Sequence, residues 1–388
     1  MLTAIDMVGT NLNSGSKTYN LNFYKYLYKK NLNNPIYIFI SNQTLKKIKI
    51  NQNENIRFIS KSNILQITFL RILWMQFILP FELKFLKVKQ LYSPMNFTPL
   101  ILKLFKIRTI LCLHSNLPWI FFSKMPGNII RNYITKLMMQ FSINVCDHLI
   151  VTSNTAKDEI IKILSLNPEK VSSIYLGIDE KFLKNDNKEK NLISDFNYKN
   201  YILTVASCVK YHNIINILKA FKKLQIRNNF DLKFVLVMQI LDKSYYKQIF
   251  RYIKKNFEKD KILIFSNLDS SYLINLYKNA HFYIFSSYCE VFGLTSLEAM
   301  SQNCPVLISN RSALPEINSK AAEYFDPDDE NQIEELMNNI LLNRSFREDL
   351  INRGNNHFKK FSWEKTVLET TQIDLCLRVL LLETSVPH

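Results

Sequence analysis

Glycine is scarce in this chain, which has six glycines among 388 residues. Because glycine is the residue that accepts unusual backbone conformations at little steric cost, each of the few present marks a position worth locating. Cysteine is sparse as well, and its six positions include no C-x-x-C pair. This spacing argues against a zinc site or a disulfide framework and favours reduced thiols in the core of a cytosolic protein.

The chain also lacks a charge-free apolar run long enough to span a membrane. The nearest candidate, residues 64–86, would place an arginine near the centre of the span at a cost of roughly 2.5–3.5 kcal/mol. We therefore expect an amphipathic helix pair broken at Pro80, which is buried or faces a membrane without crossing it. The residues that interrupt the run are Gln66, Arg71, Gln76, Pro80, Glu82 and Lys84.

No secretory signal is expected at the start of the chain. Met1 to Val8 is strand-like, and a polar loop follows it directly. Together with the cysteine pattern, this predicts a cytoplasmic protein, peripheral at most on the inner face of the cytoplasmic membrane.

Acidic residues are few relative to basic ones, and the formal net charge is +17. Residues 1–180 carry 22 Lys and Arg against 9 Asp and Glu, whereas residues 181–388 carry 28 against 24. A basic first half indicates an acidic partner such as anionic lipid headgroups, a phosphorylated lipid or nucleic acid. We expect contact with an anionic membrane and no nucleic acid. A lysine-rich composition with no such partner is the alternative.

The remaining composition supports two folded domains. The chain is long enough for both, and 47% of its residues are hydrophobic. Buried strand patterns alternate with helical patterns in both halves, which is typical of parallel sheets covered by helices. After the first strand, the loop from Gly9 to Thr18 is a usual docking place for a phosphate or sugar. It fails the ATPase P-loop pattern, because five residues separate its glycines and Ser16 precedes Lys17.

Residues 282–316 are the most informative stretch. They predict a buried strand from Phe282 to Phe285, a polar loop, a helix from Leu294 and a further strand after Pro305. Gly293, just before the helix, allows a ligand to approach the backbone closely. The first amides of that helix are free and lie at its positive end, which suits a phosphate.

Two carboxylates flank this predicted phosphate site. Glu298 lies about one turn inside the helix, where it can accept hydrogen bonds from a ribose next to the phosphate. Glu290 lies eight residues earlier, on the loop at the mouth of the same cleft. The alternative is that both are solvated charges beside an ordinary strand-to-helix turn.

The whole stretch resembles the nucleotide-binding signature of retaining glycosyltransferases of family 4. Val291 and Asn303 stand where that pattern often has glycine, and asparagine tolerates left-handed backbone conformations. The matching residues are Glu290, Phe292, Gly293, Leu294, Glu298, Ala299, Met300, Pro305, Val306, Ser309, Ser312, Pro315 and Glu316.

A second segment resembles the family with more departures. The family usually has V-G-R, then K-N and a helix, and its arginine and lysine neutralise the donor diphosphate. Here Ala206 replaces the glycine, Ser207 the arginine and His212 the lysine before Asn213. The resemblance implies that Lys210 supplies the missing charge from a shifted position. A surface loop with incidental charge is the alternative.

The resemblance implies a complete architecture, the two-domain glycosyltransferase B fold. Its two Rossmann-like βαβ domains face each other across a cleft. The expected units are an acceptor-binding domain at 1–183, a linker at 184–200, a nucleotide-sugar-binding domain at 201–360, and a C-terminal helix at 361–388 that packs back on the first domain. The sequence Leu176-Gly177-Ile178-Asp179 matches the turn that closes the first domain in this family.

The resemblance also implies an activity, the retaining transfer of a hexose from a nucleotide-diphosphate sugar to a saccharide or lipid-linked saccharide. Cell-surface polysaccharide or lipopolysaccharide O-antigen synthesis is the expected setting, with mannose as one candidate sugar. We expect Glu290 and His114 to be the catalytic residues, with Glu290 assigned by the resemblance to the donor sugar and His114 to a sugar or acceptor contact. His114 precedes Ser115 where the family commonly has aspartate, and a structural histidine is the alternative. The expected donor-binding residues are Gly15, Lys210, His212, Asn213, Phe292, Gly293, Leu294, Thr295 and Glu298.

No cofactor and no metal are expected, because cationic groups and a helix terminus take the place of a divalent ion. Asp326 to Asp329 is better explained as the cap of the next helix than as a metal site. The main rival is a non-catalytic module with a degenerate phosphate site that binds nucleotides or membranes. A sugar-nucleotide epimerase of the same fold is a third reading, disfavoured by the segment Ser312 to Glu316 and the glutamate pair.

Overall fold

The computed structural model describes residues 2–10, 15–29, 35–47, 55–183, 200–228, 230–266 and 268–373. In the first half, strands and helices alternate along the chain. They are β1 (Thr3–Asp6), α1 (Gly15–Tyr28), β2 (Ile36–Ser41), α2 (Asn42–Lys47), β3 (Ile56–Lys61), α3 (Thr68–Phe77), α4 (Leu79–Phe85), β4 (Gln90–Ser93), β5 (Arg108–Leu113), α5 (Leu117–Ile120), α6 (Ile129–Val145), β6 (His148–Val151), α7 (Asn154–Leu164) and β7 (Val171–Ser173).

The second half repeats the alternation and ends in helices. Its elements are β8 (Tyr201–Cys208), α8 (Ile214–Asn228), β9 (Lys233–Ile240), α9 (Lys243–Asn256), β10 (Ile262–Phe265), α10 (Ser270–Asn279), β11 (Tyr283–Phe285), α11 (Leu294–Ser301), β12 (Val306–Ser309), α12 (Leu314–Asn318), β13 (Glu323–Phe325), α13 (Glu330–Leu342), α14 (Arg344–His357) and α15 (Trp363–Ile373).

The strands form two parallel sheets, one in each half. The first has the order β3-β2-β1-β4-β5-β6-β7 and the second the order β10-β9-β8-β11-β12-β13. In both sheets the strand order reverses beside the first strand, at β1/β4 and at β8/β11. Ligands of open parallel sheets bind at such switch points, outside the carboxyl ends of the strands. The predicted pair of Rossmann-like domains is confirmed.

Helix α15 returns to the first domain, as predicted. The ring centroids of Trp363 and Tyr19 of α1 lie 5.5 Å apart, and the Thr366 hydroxyl donates to the Tyr175 carbonyl at 2.7 Å. Gly177 makes this crossing possible, because a Cβ there would lie 2.0 Å from the Trp363 backbone nitrogen. The predicted continuation of this helix into the apolar tail from Leu375 to Leu382 lies outside the described residues, and so does most of the predicted linker.

Two predicted boundaries shift in the structure. The helix pair within 64–86 is present, but it breaks at Ile78 and not at Pro80. Pro80 instead lies in the first turn of α4. Backbone N–H groups in a first turn make no intrahelical hydrogen bond, so the absence of an N–H in proline costs no such bond there. The apolar run from Tyr201 to Ala206 predicts a buried strand, and strand β8 continues two residues further, to Cys208. Among the described residues, no helix is long and apolar enough to cross a membrane.

Candidate active site

A cavity of about 400 Å³ opens between the two domains, at the carboxyl ends of both sheets. The first domain contributes residues that follow β4, β5 and β6, and the second contributes the loop after β11 and the start of α11. The lining residues are Tyr19, Met95, Asn96, His114, Thr152, Leu176, Glu290, Val291, Phe292, Gly293, Leu294 and Trp363. The two switch points therefore face one shared space.

Helix α11 begins at this cavity with an open N-terminus. Gly293 precedes it with φ +89°, in the left-handed region that favours glycine, and a Cβ there would lie 2.7 Å from Cδ2 of Leu314. No side chain caps the helix. The backbone amides of Leu294 and Thr295 thus point outward at the positive end of the helix dipole, an arrangement suited to an anion.

The loop segment at Glu290 is fixed by its own backbone. The Glu290 carbonyl accepts hydrogen bonds from the Ala313 amide at 3.2 Å and from the Ser312 hydroxyl at 2.9 Å. Ser312 adopts a left-handed conformation with φ 54°. These bonds tie the loop after β11 to the loop after β12, so the Glu290 side chain starts from a defined position.

The Glu290 carboxylate meets His212, with Oε1 3.1 Å from Nε2 of the imidazole. The other ring nitrogen, Nδ1, lies 2.7 Å from the Ser207 carbonyl oxygen and must donate to it. Both ring nitrogens therefore face acceptors. A hydrogen bond between Nε2 and the Glu290 carboxylate needs one more proton, carried either by Nε2 or by the carboxyl group. The His212 side chain is only 9% exposed, and the rings of Tyr211 and Phe285 pack edge-on against it.

Glu298 lies one turn into α11, where it is partly buried and is not one of the residues that line the cavity. Burial raises the pKa of its carboxyl group to about 7, although attraction to the Lys181 ammonium opposes the shift. The Tyr277 hydroxyl lies 3.4 Å from its Oε2. Glu298 is therefore a carboxyl group that gains or loses its proton near neutral pH.

His114 enters the cavity from the first domain, directly after β5. Its Nε2 lies 2.8 Å from the Pro94 carbonyl oxygen and donates to it, which leaves Nδ1 as an acceptor. Burial lowers the pKa of the ring to about 4. At neutral pH the ring is uncharged, so it can accept a hydrogen bond but is a weak base.

Comparison with known proteins shows the family to which this chain belongs. A family model described as "Glycosyl transferases group 1" matches residues 184–357, and one described as "Glycosyltransferase Family 4" matches residues 14–182. Together they span most of the chain, one for each sheet. The chain belongs to this glycosyltransferase family.

Individual relatives are more distant. The O-antigen chain mannosyltransferase RfbU of Salmonella typhimurium is 26% identical over 240 residues, which is 62% of either chain. The O-antigen chain mannosyltransferase B of Escherichia coli is 23% identical over 225 residues, covering 57% of this chain and 58% of its own length. The chain thus spans less than two thirds of these curated relatives.

A solved structure extends the likeness to the whole fold. WaaG, a glycosyltransferase involved in lipopolysaccharide biosynthesis, superposes with a TM-score of 0.70 at 13% identity, over 96% of this chain and 99% of its own. The chain therefore has the two-domain glycosyltransferase B architecture.

Three other residues expected to bind the donor have different surroundings. Lys210 is exposed, and its ammonium has no ion pair or hydrogen bond within the part of the chain that the structure describes. Asn213 takes a left-handed conformation, and its amide donates to the Pro327 carbonyl at 2.7 Å. Its side chain therefore holds the loop before α13, a contact that the sequence did not predict. Gly15 is the first residue of α1, and residues 11–14 before it lie outside the description.

The hydroxyl of Thr295 also has a partner, the Tyr283 hydroxyl at 2.8 Å. Thr295 can therefore offer its amide to a ligand while its side chain is held against β11. Asp329 caps α13 by accepting from the amides of Asn331 and Gln332, as predicted. In the described ranges, no group of three or more His, Cys, Asp and Glu side chains could hold a metal ion.

Glu316, matched by the signature, has a role that the sequence did not reveal. Its carboxylate accepts hydrogen bonds from the amides of Asn154 and Thr155, at 2.7 and 2.6 Å, and from the Tyr175 hydroxyl at 2.7 Å. All three groups lie in the first domain: the two amides are at the start of α7, and Tyr175 follows β7. Glu316 therefore joins the two domains beside the cavity.

Asn96 and Thr152 are cavity residues that the sequence reasoning missed. The Asn96 side chain accepts from the His114 amide at 2.6 Å, and the Thr152 hydroxyl donates to the Val291 carbonyl at 3.1 Å across the domain boundary. In the structure each polar residue lies shortly after a strand, β4 or β6. That position was the available signal, since ligands bind outside the carboxyl ends of parallel strands.

Proposed function

We propose that this glycosyltransferase moves a hexose, with mannose as the first candidate, from a nucleotide-diphosphate sugar to a hydroxyl of a saccharide or lipid-linked saccharide. The proposed setting is the synthesis of O-antigen or a related cell-surface polysaccharide. The names of the Salmonella and Escherichia relatives support the choice of sugar and setting. The proposal that the anomeric configuration is retained rests on residues 290–316, which resemble the signature of retaining enzymes.

One observation carries this proposal: the uncapped start of α11 shares a cavity with Glu290 and lies opposite His114. The diphosphate of the donor would lie at the amides of Leu294 and Thr295. When the bond to the sugar breaks, negative charge grows on that diphosphate. Fixed N–H dipoles aimed at this charge stabilise the transition state more than the ground state.

His212 would supply part of the positive charge that lysine supplies in the family pattern. Its Nδ1 bond to the Ser207 carbonyl fixes the ring so that Nε2 faces Glu290, which lines the cavity. A proton on Nε2 makes the ring a cation next to the leaving diphosphate. A neutral ring with a protonated Glu290 would lack that charge.

The remaining groups would hold the two ends of the donor and the acceptor. Glu298 would accept hydrogen bonds from the ribose, and Glu290 would contact hydroxyls of the donor sugar. His114, which keeps Nδ1 free as an acceptor, would orient a hydroxyl of the donor sugar or of the acceptor. No metal ion takes part in the proposed mechanism, because the helix terminus and His212 oppose the growing charge.

A screen of nucleotide sugars tests the proposal. The purified chain is incubated with GDP-mannose, UDP-glucose, UDP-galactose and ADP-glucose, and the released nucleoside diphosphate is measured with and without candidate saccharide acceptors. We expect release from GDP-mannose that rises with a mannose-containing acceptor. Failure of every donor to give product would contradict the proposal.

A non-catalytic module remains the second candidate, and it is favoured by Ser207 in place of arginine and by the exposure of Lys210. A thermal-shift panel of UDP, GDP and ADP separates it from the enzyme. Stabilisation by a nucleotide whose sugars are never turned over would support the module. Turnover excludes it.

A further inference from the structure

Exposed apolar side chains are concentrated on one part of the first domain. Among the described residues, fifteen of the twenty-two large apolar side chains that are exposed lie between Ile64 and Phe141. Eleven of these fifteen form two stripes at helical spacing, which together with Leu104 we call the apolar face. The stripe on α3 and α4 is Phe69, Leu73, Phe77, Phe81 and Phe85, and the stripe on α6 is Ile129, Ile130, Tyr133, Ile134, Leu137 and Phe141.

The exposure is large and regular. Phe69 and Phe77 are 68% and 67% exposed, and Phe85 is 86% exposed. A water-soluble surface rarely collects so many large apolar residues on adjoining helices, and such patches mark interaction sites. The seven other exposed apolar residues are scattered, most of them over the second domain.

Both stripes lie on the same side of the first sheet. Ser93 of β4 pairs with Leu111 of β5, and side chains alternate along a strand, so Leu91 and Leu111 point to the same side. Leu91 belongs to the core under α3 and α4, and Leu111 belongs to the core under α6. Phe97 packs against both cores and joins them.

The charge of this region is almost entirely of one sign. Residues 62–146 contain ten Lys and Arg and one acidic residue, Glu82, whose carboxylate pairs with Lys61 at 2.5 Å. The stretch therefore contributes most of the excess positive charge of the first half of the chain. Exposed cationic side chains beside the stripes are Lys84, Lys87, Lys89, Lys103, Lys106 and Arg131.

The positive charge of this region favours an anionic lipid surface over a second copy of the chain as the partner of the apolar face. In a symmetric dimer of this chain, the same lysines and arginines would face one another, and the carboxylate of Glu82 is already paired with Lys61. An anionic lipid surface offers apolar material for the stripes and phosphates for the cations at the same time. We propose that the apolar face docks on an anionic membrane, with the stripes of α3, α4 and α6 inserted among the headgroups.

The docking surface connects to the cavity through the loop after β4. Met95 and Asn96 line the cavity, and two residues later Thr98 lies between α3 and α6. The Thr98 carbonyl accepts from the Gln76 amide of α3 at 3.2 Å, and its amide donates to the Ser142 hydroxyl of α6 at 3.1 Å. If the proposed function holds, on which this step rests, an acceptor anchored in the bilayer can reach His114 along this loop.

Vesicle flotation tests the proposal with the full chain. The probes are vesicles of phosphatidylcholine alone and of phosphatidylcholine mixed with phosphatidylglycerol, at low and high salt. We expect flotation with the mixed vesicles, weakened by salt. The pairs Phe69→Ser/Phe77→Ser on α3 and Ile130→Ser/Phe141→Ser on α6 should each raise the lipid concentration for half-maximal binding by about tenfold or more. Lys84→Glu/Lys103→Glu should weaken binding to the vesicles that contain phosphatidylglycerol and leave binding to phosphatidylcholine vesicles unchanged.

Matched controls lie on the second domain. Ile226 and Leu342 are 74% and 64% exposed, and Ile226→Ser/Leu342→Ser should bind vesicles as the wild type does. Every variant should keep the wild-type melting temperature and the same thermal response to GDP, so a loss of vesicle binding is separable from a failure of the proposed function.

Three outcomes would overturn the proposal. The first is a wild type that does not float with phosphatidylglycerol. The second is equal binding by the stripe variants and the control pair. The third is a wild type that forms a dimer and does not bind vesicles, and whose dimer dissociates into monomers when the stripes are substituted. That result would make the apolar face a protein interface.

Discussion

The imidazole of His212 and the carboxylate of Glu290 lie 3.1 Å apart at the wall of the interdomain cavity. The two residues come from different switch-point loops, one after β8 and one after β11. Their contact places a histidine where the family pattern has lysine and couples its charge to the carboxylate assigned to the donor sugar. The first prediction follows from that coupling.

Replacing His212 should affect the chemical step. In the proposed mechanism the His212 ring acts as a hydrogen-bonded cation beside the leaving diphosphate. His212→Ala removes that contribution of about 1.5–3 kcal/mol, which corresponds to roughly a 10- to 150-fold loss of kcat. His212→Lys restores a permanent charge and should retain most of the activity. Steady-state release of nucleoside diphosphate from the donor measures both. A fully active alanine variant would exclude His212 from catalysis.

Glu298 should control nucleotide affinity and its pH dependence. Its pKa is raised to about 7. As the pH rises through 7 the carboxyl group ionises and accepts hydrogen bonds from ribose more strongly, so affinity should increase. The same raised pKa means that the folded state favours the protonated form, so the stability this group contributes is lost as the pH rises through 7.

Calorimetric titration of GDP between pH 6 and 8 measures the Glu298 effect. Glu298→Gln should bind more weakly than the wild type at pH 8 and show a flatter pH profile. Glu290→Ala is the matched comparison, and it should cut turnover while leaving GDP affinity nearly intact. Equal losses of affinity in the two variants would contradict this division of roles.

Glu316 should stabilise the contact between the domains. Its pKa is lowered, because its hydrogen bonds to Thr155, Tyr175 and Asn154 together outweigh the opposing effect of burial, the largest single influence on it. A lowered pKa contributes stability that is present above the ordinary value of 4.5 and is lost as the pH falls through the folded value. Glu316→Gln should therefore cost about 1–2 kcal/mol at pH 7, a modest figure because the carboxylate is half-exposed.

Urea unfolding at pH 7 and pH 4 measures the Glu316 effect. The difference between wild type and Glu316→Gln should shrink at pH 4. Glu335, an exposed residue of α13, provides the control Glu335→Gln, which should leave stability unchanged at both values. A Glu316 variant as stable as this control at pH 7 would show that the interdomain bonds contribute nothing.

Gly177 should not tolerate a side chain. A Cβ there would lie 2.0 Å from the backbone nitrogen of Trp363, and backbone cannot move aside as a flexible side chain can. Gly177→Ala should therefore lower the melting temperature and loosen α15, at a cost of about 2 kcal/mol or more. Gly354 in α14 is the comparison, since the nearest atom to a Cβ there is Cγ of the flexible Met300 side chain at 3.1 Å, and alanine favours helix. Equal stability of the two variants would contradict the close approach.

The sequence predicted the fold well because its information is local. Buried strands such as Tyr283–Phe285 and helices such as Ser270–Asn279 are specified by apolar patterns over a few residues. The prediction of a helix break at Pro80 was wrong, because proline is also favoured within the first turn of a helix, and the break lies at Ile78.

The candidate site was predicted only where the chain supplies it in one stretch. Gly293 and the start of α11 follow from the residues around them. The partners of Glu316, Glu290 and Asn213 do not, because Thr155, His212 and Pro327 are brought to them by separate loops. Nor does the sequence show that the α6 stripe lies beside the stripe of α3 and α4, which depends on strand order.

A crystal structure of the chain with GDP tests the central claim most directly. The account predicts the β-phosphate within hydrogen-bond distance of the amides of Leu294 and Thr295, with the ribose hydroxyls at Glu298. A nucleotide bound elsewhere, or a cavity that stays empty at saturating GDP, would contradict it.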